Sequence, residues 1–223
     1  AVLESRKVIK RFQPDVVIGL GGFASGPGGL AAWLSGKPLL IHEQNAIAGL
    51  TNRLLAKIAK QVLQGFENSF VSSKKTRWVG NPVRKEIEQL PEPQIRYQAR
   101  AQKPLKLLVL GGSLGAKSLN QVVPQTLALL SKEHTINVIH QCGEKHLADC
   151  QLAYEQAGVA GTVTQFIDDM AKAYSEADLI ICRAGALTVA EVAATGIAAI
   201  LVPYPYAVDD HQTHNAQALK DAG

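Results

Sequence analysis

Short apolar runs that end at glycine and lead into helix-period sequence recur along this chain, and that recurrence narrows the possible folds more than any other feature. Leu179-Ile180-Ile181-Cys182 is the plainest case, a wholly apolar run broken by Gly185 and followed by Ala186-Leu187-Thr188-Val189-Ala190-Glu191. A parallel strand covered on both faces requires such a run. Where a strand turns through glycine into a helix, unpaired N–H groups and the positive end of the helix dipole lie at the carboxyl edge of the sheet. That edge is where α/β proteins hold anionic ligands. Thr188 and Glu191 also have the spacing of a capping box with Thr188 as N-cap, so the stretch reads either as a helix start alone or as one wall of a binding site.

The rest of the chain repeats the theme. The spacing predicts a helix over 2–12, a strand over 16–18, a glycine-rich loop over 19–29 and a helix over 30–34. The glycines let backbone approach a ligand or another helix closely, but they depart from the G-x-G-x-x-G dinucleotide fingerprint. A strand over 39–41 runs into His42-Glu43-Gln44-Asn45, four side chains that can furnish a general base at a cleft wall or cap the helix that follows. Leu50, Leu54, Leu55, Ile58 and Val62 predict one amphipathic helix over 50–64, with Arg53, Lys57 and Lys60 on its other side. Prolines and charge mark 84–104 as an interdomain connection, with Arg84 near the hinge.

Beyond it come a strand over 105–110, the turn Gly111-Gly112-Ser113-Leu114-Gly115-Ala116 and a helix through 130. Ser113 adds a hydroxyl to the N–H groups of that turn, a diphosphate cradle that lacks the lysine of a P-loop. Strands over 136–140, 163–167, 179–182 and 199–202 then alternate with helices over 147–157, from Asp168 or Asp169 through 177, and up to 194, and a final helix follows 208–215. This alternation predicts two parallel-sheet domains facing each other across a cleft, the first over 1–83 and the second over 105–223.

Charge is divided unevenly. Residues 1–83 carry eleven Lys and Arg against four Asp and Glu, whereas 84–223 carry twelve against fifteen, which gives the net +4. The first half therefore suits an anionic partner: nucleic acid, an anionic membrane or a phosphorylated ligand. With 5% aromatic residues and no nucleic-acid motif, nucleic acid ranks last of the three. Three cysteines fit a reducing compartment, and His140, Cys142, His146 and Cys150 match no common zinc spacing. The apolar stretch 16–34 is broken by glycines and Pro27 and flanked by charge, which excludes a membrane span but leaves a peripheral membrane contact open. A chain that opens on Ala1 and stops just past a helix reads as a fragment.

Six motifs occur in one order: Gly21-Gly22-Phe23-Ala24-Ser25-Gly26-Pro27, His42-Glu43-Gln44-Asn45, Gly80-Asn81-Pro82-Val83-Arg84, Gly111-Gly112-Ser113-Leu114-Gly115-Ala116, Phe166-Ile167-Asp168-Asp169-Met170 and Arg183-Ala184-Gly185-Ala186-Leu187-Thr188-Val189-Ala190-Glu191. Together they resemble the MurG family, bacterial transferases that move N-acetylglucosamine from a UDP donor onto undecaprenyl-linked muramyl-pentapeptide in cell-wall synthesis. The resemblance implies a GT-B glycosyltransferase fold, two Rossmann-like domains with the donor in the cleft and the first domain incomplete here. It also implies an inverting hexosyltransferase on the cytoplasmic face of the plasma membrane. The implied partners are UDP-N-acetylglucosamine, undecaprenyl-pyrophosphoryl-muramyl-pentapeptide, an anionic membrane surface and other cell-wall synthesis proteins, with neither cofactor nor nucleic acid.

Carried onto matching positions, the resemblance implies that Asn45 and Arg84 contact the donor, that Ser113 bonds the diphosphate and that Ile167 meets uracil through its backbone. Ala186, Leu187, Thr188, Val189, Ala190 and Glu191 would wrap the nucleotide sugar, Glu191 accepting from the ribose hydroxyls, and Gln212 would reach the sugar. Inverting transfer needs a base on the acceptor hydroxyl and charge stabilisation on the departing UDP. The family's own Gly-rich loop and histidine would lie ahead of Ala1, so Glu43 is the candidate base by type and position, and Phe23 stands where the family carries a tyrosine. Without the first strand the sheet edge would be unpaired, so this chain alone is expected to bind UDP weakly and transfer poorly. Two other classes fit the residues: another GT-B enzyme using UDP-N-acetylglucosamine, such as an epimerase, and a noncatalytic nucleotide-sugar or membrane-docking module.

Overall fold

The computed structural model describes residues 1–112 and 114–222, Val208 by its backbone only. The chain divides into two compact units, one made of Ala1–Pro82, Gly185–Leu187 and Tyr204–Gly223, the other of Val83–Ala184 and Thr188–Pro203.

The first unit opens with α1 (Val2–Phe12), closed by Gln13 in the left-handed region with its N–H on the Ile9 carbonyl. β1 (Val17–Gly19), α2 (Gly22–Leu34), β2 (Leu39–Glu43), α3 (Leu50–Leu55), β3 (Gln61–Gln64) and β4 (Thr76–Trp78) follow. The four strands are parallel, in the order β1-β2-β3-β4, with Ile18 opposite Leu40, Ile41 opposite Val62 and Leu63 opposite Arg77. Leu39, Ile41, Leu55, Ala59 and Val62 form the core on one side of this sheet.

Two sequence expectations are corrected here. Residues 50–64 are not one helix: α3 stops at Leu55, the Lys60 N–H bonds the Leu39 carbonyl at 2.8 Å, and residues 61–64 pair with β2. Gln61-Val62-Leu63-Gln64 alternates in burial as a strand, so pairing with β2 overrides the helical spacing, and the basic stripe Arg53, Lys57, Lys60 does not share one helix face. The glycine-rich segment is not a loop either, because α2 already starts at Gly22 and runs through Pro27. Close packing accounts for one of its glycines: a Cβ on Gly29 would come within 2.9 Å of both Leu55 methyl groups.

The second unit contains α4 (Lys85–Glu88), α5 (Pro93–Gln98), β5 (Leu105–Leu110), α6 (Lys117–Leu130), β6 (Ile136–Gln141), α7 (Leu147–Ala157), β7 (Thr162–Thr164), α8 (Met170–Glu176), β8 (Leu179–Cys182), α9 (Ala186–Thr195) and β9 (Ala198–Leu201), the partition running through α9 after Leu187. Its five strands are parallel, in the order β7-β6-β5-β8-β9. This is the doubly wound arrangement in which strand order reverses on either side of the first strand, β5. Leu107, Val109, Leu119, Val123, Leu127, Val138 and Tyr154 pack its core.

Residues 84–104 fold into this unit rather than standing apart as a connection. Arg96 on α5 is buried and donates to the carbonyls of Pro91 (2.9 Å), Tyr174 (3.2 Å) and Thr195. Arg100 grips Asp178 with Nε at 2.7 Å and Nη2 at 2.8 Å, and the Tyr97 hydroxyl accepts the Ala198 N–H. Burial alone would raise the Asp178 carboxyl, but the Arg100 and Lys106 N–H donors outweigh it and bring it below the ordinary range. After β9 the chain returns to the first unit through α10 (His211–Asp221), where Asn215 accepts the Ala46 N–H at 2.8 Å and donates to Asn45 Oδ1 at 3.2 Å.

Candidate functional site

A doubly wound sheet gathers ligands outside the carboxyl ends of its strands where the order reverses, here beyond β5 and β8. The β5 turn leads into the 14-residue α6. Gly115 in this turn has φ 77°, and a Cβ there would run into the Cys142 carbonyl, so only glycine lets the turn lie flat on the end of β6. The expected diphosphate ligand Ser113 lies outside the described residues. On the β8 side, Arg183 spans the strand ends: Nη1 donates to the Val202 carbonyl (3.1 Å) and the Pro203 carbonyl (2.9 Å), and Nη2 to Ser118 Oγ on α6 (2.8 Å).

Glu191 does not complete a capping box. α9 begins at Ala186, which puts Thr188 inside the helix instead of at its N-cap. The Glu191 carboxylate is held from two sides instead. Oε1 accepts Arg84 Nε at 3.1 Å and Nη2 at 2.8 Å, and Oε2 accepts the Tyr174 hydroxyl at 3.1 Å. The Arg84 side chain is half exposed, whereas Tyr174 is fully buried. Burial, and then the neighbouring Glu191 carboxylate, raise the Tyr174 phenol above its ordinary range, so it stays a donor. Along α9, Ala186 and Val189 turn into the core, Thr188 and Ala190 are half-buried and Leu187 is exposed. Of the residues expected to wrap a nucleotide sugar, the side chains of Ala186 and Val189 therefore serve packing.

Ile167 lies past the end of β7, which stops at Thr164, and its N–H donates to Gln141 Oε1 at 3.1 Å. Any backbone contact of Ile167 with a base must therefore use the carbonyl.

In the first unit Glu43, the candidate base, is a buried acceptor. Its carboxylate takes four N–H donors: the Asn45 N–H (3.0 Å) and Asn45 Nδ2 (3.2 Å) on Oε1, and the Gly49 N–H (3.1 Å) and Asn52 Nδ2 (2.9 Å) on Oε2. A carboxylate offers about four lone-pair sites, so none remains for an acceptor hydroxyl. Asn45 is fixed in turn, its carbonyl accepting from Ser69 Oγ and its side chain from Asn215. Gln212 accepts the Tyr204 N–H at 2.9 Å.

Tyr174, Arg96, Asn52 and Asn215 were not singled out from sequence. The apolar spacing of Met170, Ala173 and Tyr174 marks a core face, and nothing in it reveals where the hydroxyl points. The His140–Cys142–Cys150 cluster is a hydrogen-bonded core. Tyr154 O–H meets His140 Nδ1 at 3.0 Å, His140 Nε2 meets Asn120 Oδ1 at 3.0 Å, and Asn120 Nδ2 donates to the Cys142 carbonyl at 3.0 Å. Burial lowers the His140 pKa to about 4 and pushes the Cys182 and Cys150 thiols up to about 12. Among the described residues no three His, Cys, Asp or Glu side chains gather as a metal site.

Two parallel-sheet Rossmann-like units, the second with its polar cluster beside the strand-order reversal, define the GT-B class of glycosyltransferases. The chain belongs to glycosyltransferase family 28: the model of the family's C-terminal domain matches residues 106–223 and that of its N-terminal domain residues 1–64. The UDP-N-acetylglucosamine–N-acetylmuramyl-(pentapeptide) pyrophosphoryl-undecaprenol N-acetylglucosamine transferase of Aeromonas hydrophila is 58% identical over all 223 residues, which cover 60% of that protein. The enzyme of the same name from Marinobacter nauticus is 56% identical, with 61% of its length covered. The crystal structure of Acinetobacter baumannii MurG superposes on the whole chain with a TM-score of 0.81 and 49% identity, 62% of that chain being covered. The chain thus spans about 60% of the length of the curated relatives it matches.

Proposed function

We propose that the protein carrying this chain is an inverting hexosyltransferase that moves N-acetylglucosamine from UDP-N-acetylglucosamine to undecaprenyl-pyrophosphoryl-muramyl-pentapeptide, converting lipid I to lipid II in peptidoglycan synthesis. The observation that carries the reading is the Glu191 carboxylate, held by Arg84 and Tyr174 in a chain 58% identical along its whole length to a transferase of that name. In this reading the donor's diphosphate sits at the N-terminus of α6, where free N–H groups and the helix dipole stabilise the charge that builds on the departing UDP. Glu191 accepts from the ribose, the Ile167 carbonyl meets the uracil, and Arg84 contacts the donor through its half-exposed guanidinium. Asn45 contacts the donor, the backbone of residues 186–190 wraps the nucleotide sugar and Gln212 reaches the sugar. Glu43 acts by keeping Asn45 and its loop in place and takes no proton.

The basic first half supports a peripheral position on the anionic cytoplasmic face of the membrane, with α1 in contact. Leu3, Val8 and Phe12 are exposed among Arg6, Lys7, Lys10 and Arg11. Among the described residues no helix is long and apolar enough to cross a membrane.

Calorimetric titration tests the donor assignment. UDP-N-acetylglucosamine should bind the whole protein in preference to UDP-glucose and NAD, and Glu191→Ala should lose about 1–3 kcal/mol. Equal binding by Glu191→Ala would remove Glu191 from the donor site. Sedimentation with vesicles containing anionic lipid tests the membrane contact, which fails if binding ignores lipid charge.

A further inference from the structure

A carboxylate that must read a ligand's hydroxyls has to be held in one orientation, because the terminal torsion of a glutamate is broad and unguided by rotamer wells. In this chain two groups hold Glu191, and they differ in kind. Arg84 meets Oε1 alone, from a side chain half exposed to water. Tyr174 meets Oε2 from a position with no solvent exposure at all. The tyrosine is itself fixed at both ends, since its own carbonyl accepts Arg96 Nη1 at 3.2 Å while its hydroxyl donates to Glu191. Arg96 also binds the carbonyl of Thr195, the last residue of the helix that carries Glu191. α8 and α9 are thus clamped at their C-terminal ends by one guanidinium and joined again by the Tyr174–Glu191 bond.

We infer that Tyr174 is a positioning residue for nucleotide recognition: its buried hydroxyl sets the plane of the Glu191 carboxylate so that the remaining acceptor site on Oε2 faces the ribose. This rests on the proposed ribose role of Glu191. The three donors present occupy three of about four acceptor sites, two of them on Oε1, so the site left for a ligand lies on the same oxygen that Tyr174 fixes. Tyr174 touches neither ligand nor reacting atoms and acts only through Glu191, so its removal should erode selectivity for the ribose and leave the chemical step alone.

The test uses the whole protein, wild type and Tyr174→Phe, with UDP and 2′-deoxy-UDP as titrants and UDP-N-acetylglucosamine turnover as a second readout. A hydrogen bond to a charged group predicts that wild type prefers UDP over 2′-deoxy-UDP by about tenfold or more. Tyr174→Phe is expected to weaken UDP by about tenfold, to leave 2′-deoxy-UDP within about twofold, and to raise KM for the donor while kcat stays within about twofold. In a Glu191→Ala background the same substitution should change nothing further, as coupling between the two side chains requires. If Tyr174→Phe keeps the wild-type preference, or weakens both nucleotides equally, Tyr174 is structural only and the inference is overturned while the ribose reading stands. If the wild type does not discriminate between the nucleotides, the ribose reading itself falls and the inference with it. Should Tyr174→Phe fold poorly, Arg84→Ala decides: with the half-exposed partner on Oε1 removed, the preference for UDP over 2′-deoxy-UDP must survive if Tyr174 sets the carboxylate plane, and its loss would overturn the inference.

Discussion

Replacing Arg96 by methionine tests the clamp that joins α5, α8 and α9. The side chain is 6% exposed, and the acceptors described for it are backbone carbonyls: Pro91 at 2.9 Å, Tyr174 at 3.2 Å and Thr195. Methionine fills most of the volume, so lost packing is a small part of the effect. The larger part is three buried carbonyls left without donors, each costing about 1–3 kcal/mol, which some local relaxation reduces. The expected loss is about 3–5 kcal/mol in unfolding free energy, measured by urea denaturation followed by far-ultraviolet circular dichroism. For a chain of this length each kcal/mol moves the midpoint by about 2–4 °C, so the thermal transition should fall by roughly 6–20 °C. Arg96→Lys keeps the charge but not the fork and should recover less than half of the loss. A loss under about 1 kcal/mol for Arg96→Met would refute the reasoning, because the carbonyls would then be satisfied without the guanidinium.

Three further outcomes follow from the same geometry. His140 has a folded pKa of about 4 against 6.5 when exposed, so its contribution is complete above pH 6.5 and is lost as pH falls toward 4, up to about 3 kcal/mol; urea midpoints at pH 7.5 and 4.5 should show the slope, and His140→Gln should flatten it. Glu43→Gln should cost about 2–4 kcal/mol of stability and raise donor KM, with the acid limb of the pH–rate profile intact; loss of that limb at unchanged stability would restore Glu43 as a base. Gly115→Ala, forced into positive φ against the Cys142 carbonyl, should cost more than about 1 kcal/mol and weaken UDP binding, and equal affinity would show that the β5 turn does not hold the diphosphate.

Much of the second unit was legible because its signals are local. The apolar run 105–110, the glycine turn after it, the period of α6 and α7 and the Asp169 cap of α8, whose side chain accepts the Lys172 N–H, all lie within short windows of sequence. The failures occurred where a distant partner decided the outcome. Residues 61–64 became a strand because β2 offers four pairing residues, and within the helical glycine segment Gly29 is held to glycine by Leu55 and Leu39 at close range. At the site the residue types were readable but their partners were not. Glu191 reads as a cap until Arg84, 107 positions away, and Tyr174 are brought beside it. Glu43 reads as a base until four N–H groups are found around it.

The return of α10 to the first unit has a consequence for biosynthesis. The side chain of Asn215 holds Ala46 and Asn45, so a loop made early is completed by a residue that emerges 169 positions after Ala46. At bacterial translation speeds of about 5–20 residues per second, that wait is roughly 8–35 s, during which the intervening second unit can leave the ribosome and fold. The nascent first unit must pass this interval with the 44–49 loop only partly tied down. Its maturation is therefore timed by the ribosome rather than by its own chain, and synonymous changes that slow translation between positions 46 and 215 should lengthen its exposure to chaperones and proteases.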